Sequence, residues 1–502
     1  MQFWTDIIQT AQLGTDKRLP APPAGEPLLL EPVATIHNNA ATDREEKFLQ
    51  AAALAFNYRQ SGILPARNTL PAVLSAPEEE DALCSPAAHQ ALKDILTFES
   101  AGLLTLWLRL AAGKKRLARP EVLPALLNTG LHQRPLRPLI EPVIGRRGKW
   151  LAQFRKEWQF TAAEPDDETW EHGTPQQRKP VLLRTALSDP AKALQWLQDT
   201  WAKETAASRT DLLKDLPAEM FATGLPWLES LLQDKSRKVK DEAIKILQKI
   251  PSSSVLRFYQ DLLKPLIRIG TEKTMLGFSS RSTLNIDVPE TFSDSIYKLG
   301  INKINTSANK NNITEAFMVV YQVMQYIPPE WWEAQFNATP EQLFDLFSAS
   351  KTAEPFLPAI GLAVGKYRNE AWAPLFTKDE TQYYADILPI LPRKQRDAYL
   401  IGNFPHSGVQ IIRYLTEEQE EEWSPEVARV VLKHAANNHY NYNRGFYNKF
   451  AHLLPLQIAG ELEKFSPDDE YSKKGWSDLS GHILQLLSIK GQALQSFHTI
   501  NP

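Results

Sequence analysis

Between Trp227 and Leu266 the apolar residues fall into stripes at helical spacing, joined by turns too short to let the helices separate. Trp227, Leu228, Leu231 and Leu232 form the first stripe, which the polar run Gln233-Asp234-Lys235-Ser236-Arg237 interrupts. Val239, Ala243, Ile246, Leu247 and Ile250 follow, at steps of +4, +7, +8 and +11. Pro251 ends this pattern, and Ser252-Ser253-Ser254 offer N-caps for the next helix. Val255, Tyr259, Leu262, Leu263 and Leu266 then repeat the same steps. Residues so spaced share one side of a helix, and consecutive helices of this kind hide their apolar sides against each other.

The pattern recurs upstream. A shift of 31 residues lays Trp196 on Trp227, Leu197 on Leu228, Arg209 on Lys240, Leu212 on Ala243, Leu213 on Ile244 and Leu216 on Leu247. Each unit has a Trp-Leu first helix, a polar turn and a second helix with a basic residue three before its apolar pair. Residues 231–247 resemble a HEAT repeat. A single helix pair cannot bury its stripe alone, so neighbours must stack. The expectation is an all-α chain, a HEAT-like α-solenoid of helical hairpins. Prolines number 36, above the usual share of about 5%. Thr174-Pro175, Asp189-Pro190, Ser424-Pro425 and Ser466-Pro467 read as a capping side chain followed by proline at the first helical position.

Two regions depart from this. Residues 15–43, with Leu19-Pro20-Ala21-Pro22-Pro23-Ala24-Gly25, read as an extended surface connector. Residues 266–310 alternate apolar and polar positions at Ile267, Ile269, Leu276, Phe278, Leu284, Ile286 and Val288, and end in the polar run from Asn302 to Asn312. They read as a β-hairpin insertion. The expected divisions are an N-terminal helix and connector at 1–44, helical regions at 45–265 and 311–502, and the hairpin at 266–310 between them.

Composition narrows the setting. Among 502 residues there is one cysteine, Cys84, which excludes a disulfide framework and a four-cysteine zinc site. That usage favours a reducing, cytoplasmic compartment. Met1-Gln2-Phe3-Trp4-Thr5-Asp6 lacks a basic leader and a long apolar run. The apolar stretch Gly102 to Leu108 stops at Arg109, short of the roughly 20 residues a membrane helix needs.

Charge is uneven. Residues 101–160 hold 12 Lys and Arg against 3 Asp and Glu, in a chain whose net charge is −3. At the centre lies Gly145-Arg146-Arg147-Gly148-Lys149-Trp150. Glycines admit close backbone approach, guanidinium forks match phosphate or carboxylate, and tryptophan can stack. Arg134, Arg137, Arg146, Arg147, Lys149 and Trp150 are therefore the candidate residues for an anionic partner, either nucleic acid or an acidic protein surface. The alternative is neutralisation within the fold, by Glu78-Glu79-Glu80-Asp81 or by the run Glu417 to Glu422. The glycine spacing, and the absence of Ser or Thr after Lys149, exclude a phosphate-binding P-loop.

Catalytic and metal patterns are lacking. His434 and His439 are five apart, which turns their rings to different sides of a helix, where zinc pairs need four. Asn437-Asn438 read instead as the end of a helix, with His439 in the turn. Cys84-Ser85-Pro86 reads as a helix start, not as a nucleophile beside a base. No Gly-x-Ser-x-Gly and no dinucleotide fingerprint occurs. No cofactor and no enzymatic role are expected. The 13 tryptophans, among them Trp331, Trp332 and Trp372, read mainly as core filling.

Four stretches carry a family resemblance: Ala11-Gln12-Leu13-Gly14-Thr15-Asp16-Lys17-Arg18, Gly145 to Leu151, the repeat block at 189–247, and Tyr297-Lys298-Leu299-Gly300-Ile301 followed by Pro328-Pro329-Glu330-Trp331. Together they resemble an uncharacterised bacterial family, a domain of unknown function with HEAT-like repeats, over essentially the whole chain. Gln12 and Lys17 depart from its pattern. The resemblance implies no catalytic residue. It does imply genes near MoxR-type AAA ATPases, von Willebrand factor A-domain proteins and SWIM zinc-finger proteins, and so an adaptor within an ATP-driven assembly. The expected function is a non-enzymatic scaffold for protein partners, with nucleic-acid binding through 101–160 as the alternative.

Overall fold

The structure is a computed structural model that describes residues 2–62, 75–161, 166–273, 280–304, 314–379 and 382–498. The chain divides into two compact units, Met1–Ser75 and Ala76–Pro502.

The first unit holds α1 (Gln2–Leu13), α2 (Pro27–Asn38) and α3 (Arg44–Ser61). Each contributes a pair of residues four apart to one small core: Phe3 and Ile7, Leu29 and Val33, Ala51 and Ala55. Asp43 starts α3, its carboxylate accepting the Glu46 amide at 2.7 Å. Residues 27–38 are thus helical where the proline content predicts an extended connector. Pro27 stands in the first turn, where a missing N–H costs nothing. Burial of Leu29 and Val33 outweighs the single hydrogen bond that Pro32 forgoes.

The second unit opens with α4 (Pro86–Thr97), α5 (Ala101–Gly113), α6 (Leu123–His132) and α7 (Arg137–Ala152). It continues through α8 (Asp166–His172), α9 (Pro175–Ser188), α10 (Pro190–Trp201), α11 (Ala206–Leu213), α12 (Leu225–Ser230), α13 (Arg237–Leu247) and α14 (Ser254–Leu263). A hairpin of β1 (Ile267–Lys273) and β2 (Ser280–Ile286) follows. Then come α15 (Glu315–Met324), α16 (Pro329–Phe336), α17 (Pro340–Ser348), α18 (Leu357–Tyr367), α19 (Arg393–Arg413), α20 (Pro425–Ala436), α21 (Arg444–Phe450) and α22 (Glu470–His498). The fold is all-α with a small antiparallel β-hairpin. Among the described residues, no helix is long and apolar enough to cross a membrane.

The helices starting at α9, α11 and α13 share a design. Their N-cap residues Thr174, Thr205 and Ser236 are spaced by 31. In the first two, an arginine four residues past the cap lies over a tryptophan and pairs with an acid beyond. The Arg178 guanidinium sits 4.2 Å from the Trp170 ring and 2.6 Å from Glu204. The Arg209 guanidinium sits 5.6 Å from Trp201 and 2.6 Å from Asp234. Trp196 stacks on Trp170 at 5.2 Å, and Trp227 meets Trp201 edge-on at 5.1 Å. Burial pushes the Glu204 carboxyl up, but the Ser208 hydroxyl and Arg178 outweigh it and leave the pKa below the ordinary value.

Ile267 lies 31 residues after Ser236, so the hairpin occupies the place where a fourth such helix would begin. Its residues Leu284 and Ile286 are buried, and β2 packs on α17. The hairpin lies inside the second unit, together with helices from both flanking regions. Leu276 and Phe278, and most of the polar run to Asn312, lie outside the described residues.

Caps at Ser253, Asp189 and Ser424 stand where the sequence predicts them. Ser466-Pro467 does not open a helix. Asp469, whose carboxylate accepts the Ser472 amide at 2.8 Å, starts α22 three residues later. The last helix packs on α4 and α5, bringing the end of the unit onto its beginning. At that junction the Ser100 hydroxyl donates to the Asn448 carbonyl at 2.7 Å, and the Asn448 amide to the Phe98 carbonyl at 3.0 Å. Trp107, Trp332, Trp372 and Trp476 are all fully buried.

Candidate functional site

The Gly145 to Trp150 segment lies within α7. It spans a kink in α7, where Gly145 takes φ 60° and ψ −163°. That combination is essentially restricted to glycine. The break interrupts the hydrogen-bond ladder and turns amides outward, and the Glu79 carboxylate takes two of them. The Arg146 amide donates to its Oε2 at 2.7 Å and the Arg147 amide to its Oε1 at 2.9 Å. The Arg146 guanidinium forms an ion pair with Glu80. A backbone cradle suited to an anion therefore already holds a carboxylate of the same chain.

The remaining candidates are placed differently. Lys149 pairs with Glu141 at 3.2 Å. Trp150 is half-buried and packs edge-on against Phe154 at 4.8 Å. The Arg137 Nε donates to the Gly130 carbonyl at 2.8 Å, with its guanidinium 4.6 Å from the Phe160 ring. Arg134 is exposed, in the turn before α7, and makes no ion pair among the described residues. Arg146, Arg147, Lys149 and Trp150 thus lie together after the kink, Arg137 at the other end of the same helix, and Arg134 in the turn before it.

Both acidic runs meet basic partners. Besides the contacts of Glu79 and Glu80, Arg109 of the basic segment reaches Glu420 at 2.8 Å. Arg413 pairs with Glu417 at 2.9 Å and Arg396 with Glu421 at 3.1 Å. Lys490 pairs with Glu422.

The other polar motifs resolve into packing. Ser85 caps α4, and the Cys84 thiol beside it is buried, which pushes its pKa up. His434 packs its ring between Phe404 and Tyr442, and His439 stacks on Tyr440. Among the described residues, no group of three or more His, Cys, Asp or Glu is placed to hold a metal ion.

Three residues stand out that belong to no recognisable motif. Lys490 is 1% exposed, and its ammonium donates to the carbonyls of His452 at 2.8 Å and Leu454 at 2.6 Å as well as to Glu422. Burial, with Lys490 and Arg109 nearby, pulls His452 down to about 4. Lys366 donates to the Gln325 carbonyl at 3.0 Å and lies 3.5 Å from the Tyr326 ring centre. Burial, helped by Lys249, pulls it down to about 7, while the ring face and the carbonyl both favour the ammonium. Only Lys490 leaves a trace in the sequence. Ile483, Leu486, Leu487, Lys490, Ala493 and Phe497 follow core spacing, so a cation stands at a position the pattern assigns to the interior.

No curated protein and no solved structure matches the chain. A family model does, over residues 6–497, under the description of a family of unknown function. Through that near-complete match, which spans the capped helices, the kinked basic helix and the hairpin alike, the chain belongs to DUF5691, a family of unknown function.

Proposed function

We propose that the protein is a non-enzymatic scaffold, built on HEAT-like helix pairs, that binds partner proteins through the surface those pairs present. The observation that carries this reading is the tryptophan–arginine–acid brace repeated 31 residues apart. Arg178 on α9 reaches Glu204 ahead of α11, and Arg209 on α11 reaches Asp234 ahead of α13. Each brace ties one helix pair to the next, the nearest-neighbour coupling from which repeat arrays are made. Neutralisation of both acidic runs by basic partners supports a structural use of charge. The resemblance to families encoded beside MoxR-type AAA ATPases and von Willebrand A-domain proteins names the first partners to try. A cytoplasmic setting accords with the single, buried cysteine.

The second reading, nucleic-acid binding, rests on the cations of the basic segment that remain exposed without an ion pair among the described residues, namely Lys114, Lys115, Arg134 and Lys156. One titration separates the two. The purified full-length chain is mixed with a generic duplex at low salt, and separately with a purified MoxR-type AAA ATPase and a purified von Willebrand A-domain protein, the partners the resemblance implies. Retention of a protein partner at moderate salt, with no duplex binding, is the expected result. Duplex binding that weakens steeply with salt would replace the scaffold reading by the second one.

A further inference from the structure

We propose that the outer edge of β1 is a pairing surface for a second copy of this chain. Among the described residues the sheet has two strands; β2 packs on α17, and β1 forms its other edge. Its hydrogen-bond phase follows from two contacts. The Asp287 amide donates to the Leu266 carbonyl at 2.8 Å, so in the register Ile267↔Ile286 the bonded pairs are Arg268 with Asn285 and Gly270 with Thr283. The amides and carbonyls of Ile267, Ile269 and Thr271 therefore point away from β2. On the opposite edge the outward Ile286 amide is taken by the Thr352 hydroxyl at 3.1 Å, so that side is covered by the segment after α17. No such cover lies on the β1 side among the described residues. Ile269 is 50% exposed there, although Leu284, which it faces across the hairpin, is 0% exposed.

A second copy suits this edge through its symmetry. Antiparallel pairing about a two-fold axis at Ile269 sets Ile269 against its own counterpart as a hydrogen-bonded pair, with Ile267 opposite Thr271. Arg268 then faces Gly270, so no like charges meet, and its own charge is already held by Asp287 at 2.8 Å. The half-exposed isoleucine becomes covered by its mate, and two hairpins merge into a four-stranded sheet.

The test is the mass of the full-length chain by light scattering. Because the shared edge is small, association should grow over about 1 to 100 µM, toward twice 56.8 kDa. Ile269→Lys and Ile269→Glu place like charges across the axis, and each alone should remain monomeric. An equimolar mixture of the two should regain the double mass. Ile269→Pro removes an amide that β2 does not use, so it should abolish association while circular dichroism and melting stay near wild type. A wild-type chain monomeric throughout, a dimer indifferent to these substitutions, or a mixture that stays monomeric would each overturn the proposal.

Discussion

At the scale of single residues, Lys490 is the most exacting group in the molecule. A fully buried ammonium is costly unless each of its protons finds an acceptor, and here one carboxylate and two carbonyls supply them. Lys490→Met keeps the length of the stem and removes the donors. Glu422, 45% exposed, can turn to water, whereas the two carbonyls have less recourse. The expected loss is about 3 kcal/mol, the cost of stranding buried acceptors. Urea unfolding checks it, and an unchanged midpoint would mean that packing of the stem, not the charge, holds α22. The lysine was legible as an anomaly in the apolar stripe, but its partners were not, because Glu422, His452 and Leu454 lie far from it along the chain.

Among elements, α7 shows how a motif can be visible while its use is hidden. Glycine and arginine between Gly145 and Trp150 mark a place where backbone can meet an anion, and in the fold a carboxylate of the same chain stands there. What the anion is depends on Glu79, brought in from more than 60 residues away. Gly145→Ala forces a side chain into a conformation reserved for glycine and sets its Cβ against the Glu79 carboxylate. It should cost about 1–3 kcal/mol. Hydrogen exchange at residues 75–81 should quicken, and unchanged protection there would show that Glu79 is not what anchors this segment. Where caps are concerned the sequence was a good guide, since a serine or aspartate at the N-cap acts within its own turn. It failed at Pro27 and at Ser466-Pro467. In the first case burial of Leu29 and Val33 made a helix where composition suggested a connector. In the second a carboxylate three residues later offered the better cap.

In the second unit as a whole, α22 is the piece that joins late residues to early ones, through α4, α5 and the Ser100–Asn448–Phe98 hydrogen bonds. A chain ending at Asp469 would uncover Trp107, whose ring meets Phe497 edge-on at 5.6 Å, along with neighbouring apolar residues of α4 and α5. Such a chain should lose cooperative melting and aggregate. A truncated chain that melts as sharply as wild type would show that the junction adds nothing to the unit. Helical spacing, the 31-residue cadence, the helix starts at Ser85, Thr174, Asp189, Ser253 and Ser424, and the hairpin after Leu266 were all present in the sequence by itself. Each depends on side chains within a turn or two of one another, where local sterics and capping decide the outcome. Only the tertiary structure decided that Glu79 fills the kink of α7, that Arg178 and Arg209 reach forward over tryptophans to the next acid, and that α22 returns to α4. Those pairings join residues distant along the chain, chosen by which desolvated groups find compensation, and spacing within the sequence carries no record of that choice.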